Sequence, residues 1–218
     1  MLGVGRRLKE KRQVLWFSVG MAAWLDYLIG DPQGWLHPVQ VMGGLIHHYV
    51  QLALQRWQQP QSLRLAGIVL GMGLVAGSGL ASWLMIQLAA RLHPWAGQLL
   101  EIILLAACFA GRSLRDAAAD VLKPLQSGDV AIARTHLSRY VGRDTQDLEA
   151  AAVLRAVLET VTENATDGVM APLFYALLGA TLGIGSAPLA LAYKAASTLD
   201  SMVGYREAPY THLGWFSA

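Results

Sequence analysis

From Leu65 to Ala90 the chain runs for 26 residues without one Asp, Glu, Lys or Arg. As a helix such a run extends about 39 Å, enough to cross a hydrocarbon core of about 30 Å with some tilt. A helix is also the form that satisfies its own backbone hydrogen bonds in lipid, so this one stretch points to a helical membrane protein. Gly67, Gly71, Gly73, Gly77 and Gly79 within it include two G-x-x-x-G spacings. Two readings are open: close approach of a neighbouring helix, or the ordinary glycine richness of membrane helices.

Composition agrees with that class, because 54% of the 218 residues are hydrophobic and only 15% are charged. The net charge of +2 comes with no basic patch interleaved with aromatics, so nucleic acid is not an expected partner. Cys108 is the single cysteine, which excludes an internal disulfide and reads as a buried thiol in an apolar run.

Three further apolar blocks cover Val14–Ile29, Trp95–Gly111 and Val169–Tyr193. The first follows Arg6, Arg7, Lys9, Lys11 and Arg12 and imitates a secretory signal, but the polar cluster Asp26, Asp31, His37 at its end reads as part of the working protein. The last is interrupted by Gly183, Gly185, Ser186 and Pro188. Residues of that kind end helices, so a re-entrant hairpin of two half-helices is expected. If the first and last blocks dip in without crossing, 16 of the 17 Lys and Arg residues share one side, all but Arg91. The positive-inside rule makes that side cytoplasmic, with both termini on it. If the first block crosses instead, the basic N-terminus faces away from the charged loops.

Between Arg112 and Asp167 the material changes, since this quarter of the chain carries 16 of its 32 charged residues. The expected fold is therefore all-α: one polytopic membrane bundle over residues 1–218, with 112–167 as a polar, water-facing helical insertion. Helical spacing predicts helices over Leu114–Gln126 and Val130–Tyr140, with Asp129 capping the second, and a third from Asp144 or Thr145 through Glu163.

Polar clusters stand at the edges of the apolar blocks, where charge is costly and function is the first hypothesis. Asp26 and Asp31 flank a Gly30/Pro32 turn before His37. They are oxygen ligands for a hard cation or merely turn caps. Arg112, in G-R-S-L, is a phosphate ligand or an interfacial anchor. Arg143, in Y-V-G-R-D-T, suits an anion beside a helix start, or only accompanies a capped helix. Glu159, Glu163 and Asp167 follow at i, i+4 and i+8 and form one acidic stripe if helical, suited to Mg²⁺ or simply solvated. Lys194, Ser197, Thr198, Asp200, Ser201 and Arg206 offer donors and an acid for phosphate and metal. No phosphate-binding glycine loop, zinc-protease helix or nucleophile elbow accompanies them. The residues alone thus reach a membrane-edge site for a phosphorylated, metal-associated ligand. A small transporter subunit also uses broken helices, but the chain has no inverted repeat.

The strings L-D-Y-L-I-G-D-P with H-P-V, G-R-S-L, V-G-R-D-T, E-N-A-T-D-G with A-P-L-F-Y, and T-L-D-S-M-V-G-Y-R, in this order from Asp26 onward, resemble the signature segments of the adenosylcobinamide-phosphate synthase family. The resemblance implies a cytoplasmic-membrane, ATP-dependent amide ligase joining a carboxylate of the corrinoid adenosylcobyric acid to aminopropanol or its phosphate. ATP would activate the carboxylate as an acyl phosphate, and Mg²⁺ would neutralise the transferring charge. On charge alone, Asp26, Asp31, Glu159, Glu163 and Asp200 become candidates for catalysis. Asp31, Glu163, Asp167 and Asp200 become candidates for metal, and His37, Arg112, Arg143, Asn164, Lys194, Ser201 and Arg206 for substrate and phosphate. The lipid bilayer is an expected partner, and so are a second copy or other membrane proteins of the cobalamin pathway. Two departures stand out: Ser197 replaces the family's usual asparagine, and members continue past the position of Ala218 with another apolar segment and a polar motif. A split or non-catalytic scaffold of the same family is the alternative these departures raise.

Overall fold

The computed structural model describes residues 2–30 and 37–218, with side chains described from residue 13 onward. Among the described residues the fold is all helix, with no strand. Helices α1 (Leu2–Ile29), α2 (Pro38–Arg56), α3 (Pro60–Leu92) and α4 (Pro94–Ala106) come first. Helices α5 (Gly111–Gln126), α6 (Val130–Leu137) and α7 (Ala150–Ala165) follow, then a π-turn (Thr166–Met170), α8 (Ala171–Leu182), α9 (Ser186–Val203) and a short 3₁₀ turn (Gly214–Phe216).

Three helical stretches, counted across their internal breaks, are long and apolar enough to cross a membrane: Pro60–Leu92, Pro94–Gln126 and Ala150–Leu182. A shorter apolar stretch covers Gln13–Ile29. Their shared core joins Val19 and Ala22 of α1, Ile86 of α3, Leu105 and Cys108 beside α4, Ala176 of α8 and Ala187, Leu191 and Ala195 of α9. The expected break in the last apolar block is a tight hairpin: α8 stops at Gly183 (φ 72°), and α9 starts after Gly185 (φ 127°). Both angles favour glycine, which has no β-carbon to collide there. At about 18 Å, α8 is too short to span a bilayer alone.

α1 runs parallel to α4 over the full depth of the bundle. Val14 and Leu15 share a pocket with Pro94 at the α3–α4 turn, whereas Asp26 touches Gly111 at the other end. The N-terminal end of α1 therefore sits with Arg91, at the end opposite the polar helices. This packing differs from the expected gathering of 16 of the 17 basic residues and both termini beside the polar helices, because α1 lies along α4 instead of dipping in and returning.

The polar helices build a core of their own from Val121 of α5, Ala133 and Leu137 of α6 and Val153, Ala156 and Val157 of α7. Asp129 caps α6 as expected, accepting from Ile132 N at 3.0 Å. The third polar helix starts at Ala150 and not at Asp144 or Thr145. Buried Thr145 donates to the Arg134 carbonyl at the end of α6, and Asp144 accepts from Gln146 N, so the chain there is a pinned loop. α6 likewise ends at Leu137, short of Tyr140.

α2 has no counterpart in the hydropathy reading. It buries Met42, Ile46, Val50 and Ala53, and the last three pack with Leu63, Ala66 and Leu70 of α3 and Leu199 and Val203 of α9. Its Gln and His residues dilute the mean hydropathy while the helical period remains. The glycines of α3 also find their use here. A β-carbon at Gly67 would strike the Leu213 carbonyl, and one at Gly71 the Phe216 ring. These two admit the C-terminal turn and not a helix, while Gly73 and Gly77 have nothing near them.

Candidate functional site

The end of α1 and the start of α5 are locked together. Asp26 is 7% exposed, and its Oδ2 accepts from Gly111 N at 3.0 Å and Arg112 N at 3.4 Å. A carboxylate in this position satisfies amides that the first turn of a helix leaves unpaired and meets the positive end of the helix dipole. Arg112 reciprocates: its Nη1 donates to the carbonyls of Leu28 at 2.9 Å and Tyr27 at 3.4 Å, and its Nε to Asp116. Gly30 (φ 66°) leaves room for the Arg112 stem, which a β-carbon there would strike. Arg115 covers the Tyr27 ring, 4.9 Å from its centroid. Asp26 thus caps a helix 85 residues away rather than its own turn. His37 is also a cap, its Nδ1 accepting from Val39 N at the start of α2. Asp31, expected beside them, lies outside the described residues.

The second cluster is an open groove on α7, lined by Tyr140, Gly142, Arg143, Glu159, Thr160, Glu163 and Asn164. Arg143 Nη2 donates to Glu159 Oε2 at 2.8 Å, with both side chains 54% exposed. Asn164 donates to the Thr160 carbonyl. Tyr140 donates to Asp120 Oδ2, and desolvation, reinforced by that bond, raises its hydroxyl above the ordinary tyrosine range. Arg155 extends the surface, sharing a second concavity with Glu159, Thr162 and Glu163.

Asp167 belongs to neither surface. The π-turn at Thr166–Met170 widens the helix and breaks the strict i, i+4 register. The carboxylate accepts from the Tyr193 hydroxyl of α9 at 2.9 Å. The expected single stripe is therefore split, with Glu159 and Glu163 toward the Arg143 loop and Asp167 toward the hairpin. π-turns of this kind are frequent at functional sites. Tyr193 stacks on Tyr175 of α8, with ring centroids 5.0 Å apart. Lys194 follows on the next position of α9. Ser201 donates to the Ser197 carbonyl and accepts nothing from Arg206, which is exposed beyond the helix end.

Among the described residues, no three His, Cys, Asp or Glu side chains come together as a metal cage. Two carboxylates are enough for Mg²⁺ when substrate phosphates complete its shell, and the Glu159/Glu163 pair with Arg143 alongside has that composition. Tyr193 and Tyr175 were not singled out by charge, although Tyr175 lies in the quoted A-P-L-F-Y string and Tyr193 ends the last apolar block. Glu101 was missed altogether. It is 4% exposed in α4, and its Oε1 accepts from Ser186 N at 2.7 Å and Ala187 N at 2.9 Å, capping α9. The available signal was its position as the lone acid of the Trp95–Gly111 apolar run.

A family model described as CobD/Cbib protein matches residues 19–218. The chain is 50% identical over 201 residues to the "Cobalamin biosynthesis protein CobD" of Synechocystis sp., covering 92% of this chain and 59% of that protein. It is 47% identical over 197 residues to a protein of the same name from Citrobacter koseri, covering 90% and 60%. It is 46% identical over 198 residues to the "Cobalamin biosynthesis protein CbiB" of Salmonella arizonae, again covering 90% and 60%. The chain thus spans about three fifths of the length of these curated relatives. No solved structure matches it. With nearly every residue inside the family model and close to half identical to these relatives, the chain belongs to the CobD/CbiB protein family.

Proposed function

We propose that this chain acts in cobalamin biosynthesis as an ATP-dependent amide ligase, joining adenosylcobyric acid to aminopropanol or its phosphate. The observation that carries the reading is the groove of Arg143, Glu159, Glu163 and Asn164, within a chain whose relatives are named for that pathway. Arg143 and Arg155 would orient phosphate oxygens, Arg143 releasing Glu159 as it does so. Glu159 and Glu163 would hold Mg²⁺, which with ATP supplies charge neutralisation and the phosphoryl group that activates the carboxylate. Asp167 would take the proton of the attacking amine, with Tyr193 holding the carboxylate in one orientation. Lys194, Asp200, Ser201 and Arg206 would complete the substrate surface on α9. Asp26, Arg112 and His37 act indirectly here, by holding helix ends. The polar helices would face the cytoplasm, where ATP is available.

The test is incubation of detergent-solubilised protein with adenosylcobyric acid, Mg-ATP and aminopropanol phosphate, next to a full-length relative. Formation of the amide product with ADP release is expected. A folded chain that makes no product under conditions in which the relative does removes the activity from this chain. A Cys at Ser127 should resist a membrane-impermeant maleimide in intact spheroplasts; strong external labelling would reverse the orientation.

A further inference from the structure

Glu101 stands apart from every cluster named so far. It lies inside the bundle, about 10 Å along α4 from the α3–α4 turn, and its carboxylate receives the first two amides of α9 at 2.7 and 2.9 Å. α9 is a half-helix whose tip is a two-glycine turn, so nothing in its own sequence caps that end: Gly185 precedes it and has no side chain to offer. Farther along, the same helix carries Tyr193 and Lys194 at its middle and Asp200 in its last turn. Tyr193 lies about 10 Å along α9 from Ser186.

We propose that Glu101 is a positioning residue that fixes the register of α9 against α3 and α4, and thereby holds Tyr193, Lys194 and Asp200 opposite the Asp167 turn. Three observations agree. The hairpin is pinned at its tip by Glu101 and near its base by the Tyr193–Asp167 bond. Between those pins α9 touches α3 through small contacts, with Ser78 Oγ donating to the Leu191 carbonyl at 3.4 Å and Gly79 facing Pro188 and Ala192. The pairing of Glu101 with two successive amides also fixes the depth of the α9 tip directly, through bonds of 2.7 and 2.9 Å.

The inference rests on the proposed function only for its effect on turnover; register is read without substrate. A β-carbon at Gly79 would lie 3.5 Å from Ala192 Cβ, within the span of a disulfide. In a Cys108→Ser background, the rate of oxidative cross-linking between Gly79→Cys and Ala192→Cys therefore reports where α9 sits. Glu101→Leu should slow cross-linking about tenfold or more, whereas Glu101→Gln, which keeps an oxygen for the same amides, should stay within about threefold of the parent. If Glu101→Leu does not elute as the parent does, Glu101→Asp, one methylene shorter, takes its place and should also slow the reaction. Parental cross-linking in the shortened or apolar variant overturns the anchor. In an active parent, slower cross-linking should accompany a fall in kcat with KM for ATP unchanged, because the groove on α7 is not carried by α9. Slower cross-linking with unchanged kcat overturns the positioning role, whatever the fate of the proposed reaction.

Discussion

At the α1–α5 junction an aspartate and an arginine meet across 86 residues of sequence, and among the described residues most of their hydrogen bonds go to backbone: two amides for Asp26, two carbonyls for Arg112. In the α7 groove an arginine and two glutamates also line one surface, but there Arg143 pairs with the Glu159 side chain, and both are more than half exposed. The sequence motifs look alike, each pairing Gly, Arg and Asp or Glu. What separates them is whether a helix end lies within reach. Charges beside unpaired backbone groups are consumed in holding the fold, and charges on the flank of a helix remain available to a ligand.

The sharpest way to break this contrast is Glu163→Gln in a parent that turns over. The change keeps shape and removes a charge needed for Mg²⁺, so turnover should fall about a hundredfold, a barrier rise of about 2.7 kcal/mol, with unfolding unaltered. Near-normal turnover would put α7 in the same structural class as the junction. Next in size is Asp26→Ala, which strips the cap from α5 inside a buried contact and should cost about 2 kcal/mol in stability. Thermal unfolding of the solubilised protein measures it; an unchanged midpoint with lost activity would make Asp26 a functional group instead. Tyr193→Phe removes one hydrogen bond to Asp167 and should cost about 1 kcal/mol of stability at most, while lowering kcat more than KM. Smallest is Arg143→Met, where an exposed ion pair is worth under about 0.5 kcal/mol to the fold, so the loss should appear in substrate affinity alone. A large destabilisation would show that this pair, too, holds the fold.

Much of the architecture was legible in the chain. Leu65–Ala90 announced a membrane helix, the Gly183–Pro188 interruption announced a hairpin, and Asp129 announced the start of α6, each by a local rule of length, backbone freedom or capping. The helical period of Met42, Ile46 and Val50 was equally present in α2, but Gln and His between them kept its hydropathy low. The start of α7 was misplaced because what unwinds 141–149 is a contact from Thr145 to a different helix.

The chain by itself determined the class of fold, the family and the set of charged residues from which a site can be built, since hydropathy, helical period and motif strings are properties of consecutive residues. Only the tertiary structure decided which charges are free. Asp26 caps α5, Arg112 grips α1, Glu101 caps α9 and Asp167 turns to Tyr193 because each finds its partner on another helix. The physical reason is that a helix end presents its unpaired amides and carbonyls to whatever packs beside it, and no local pattern in the sequence states which element that will be.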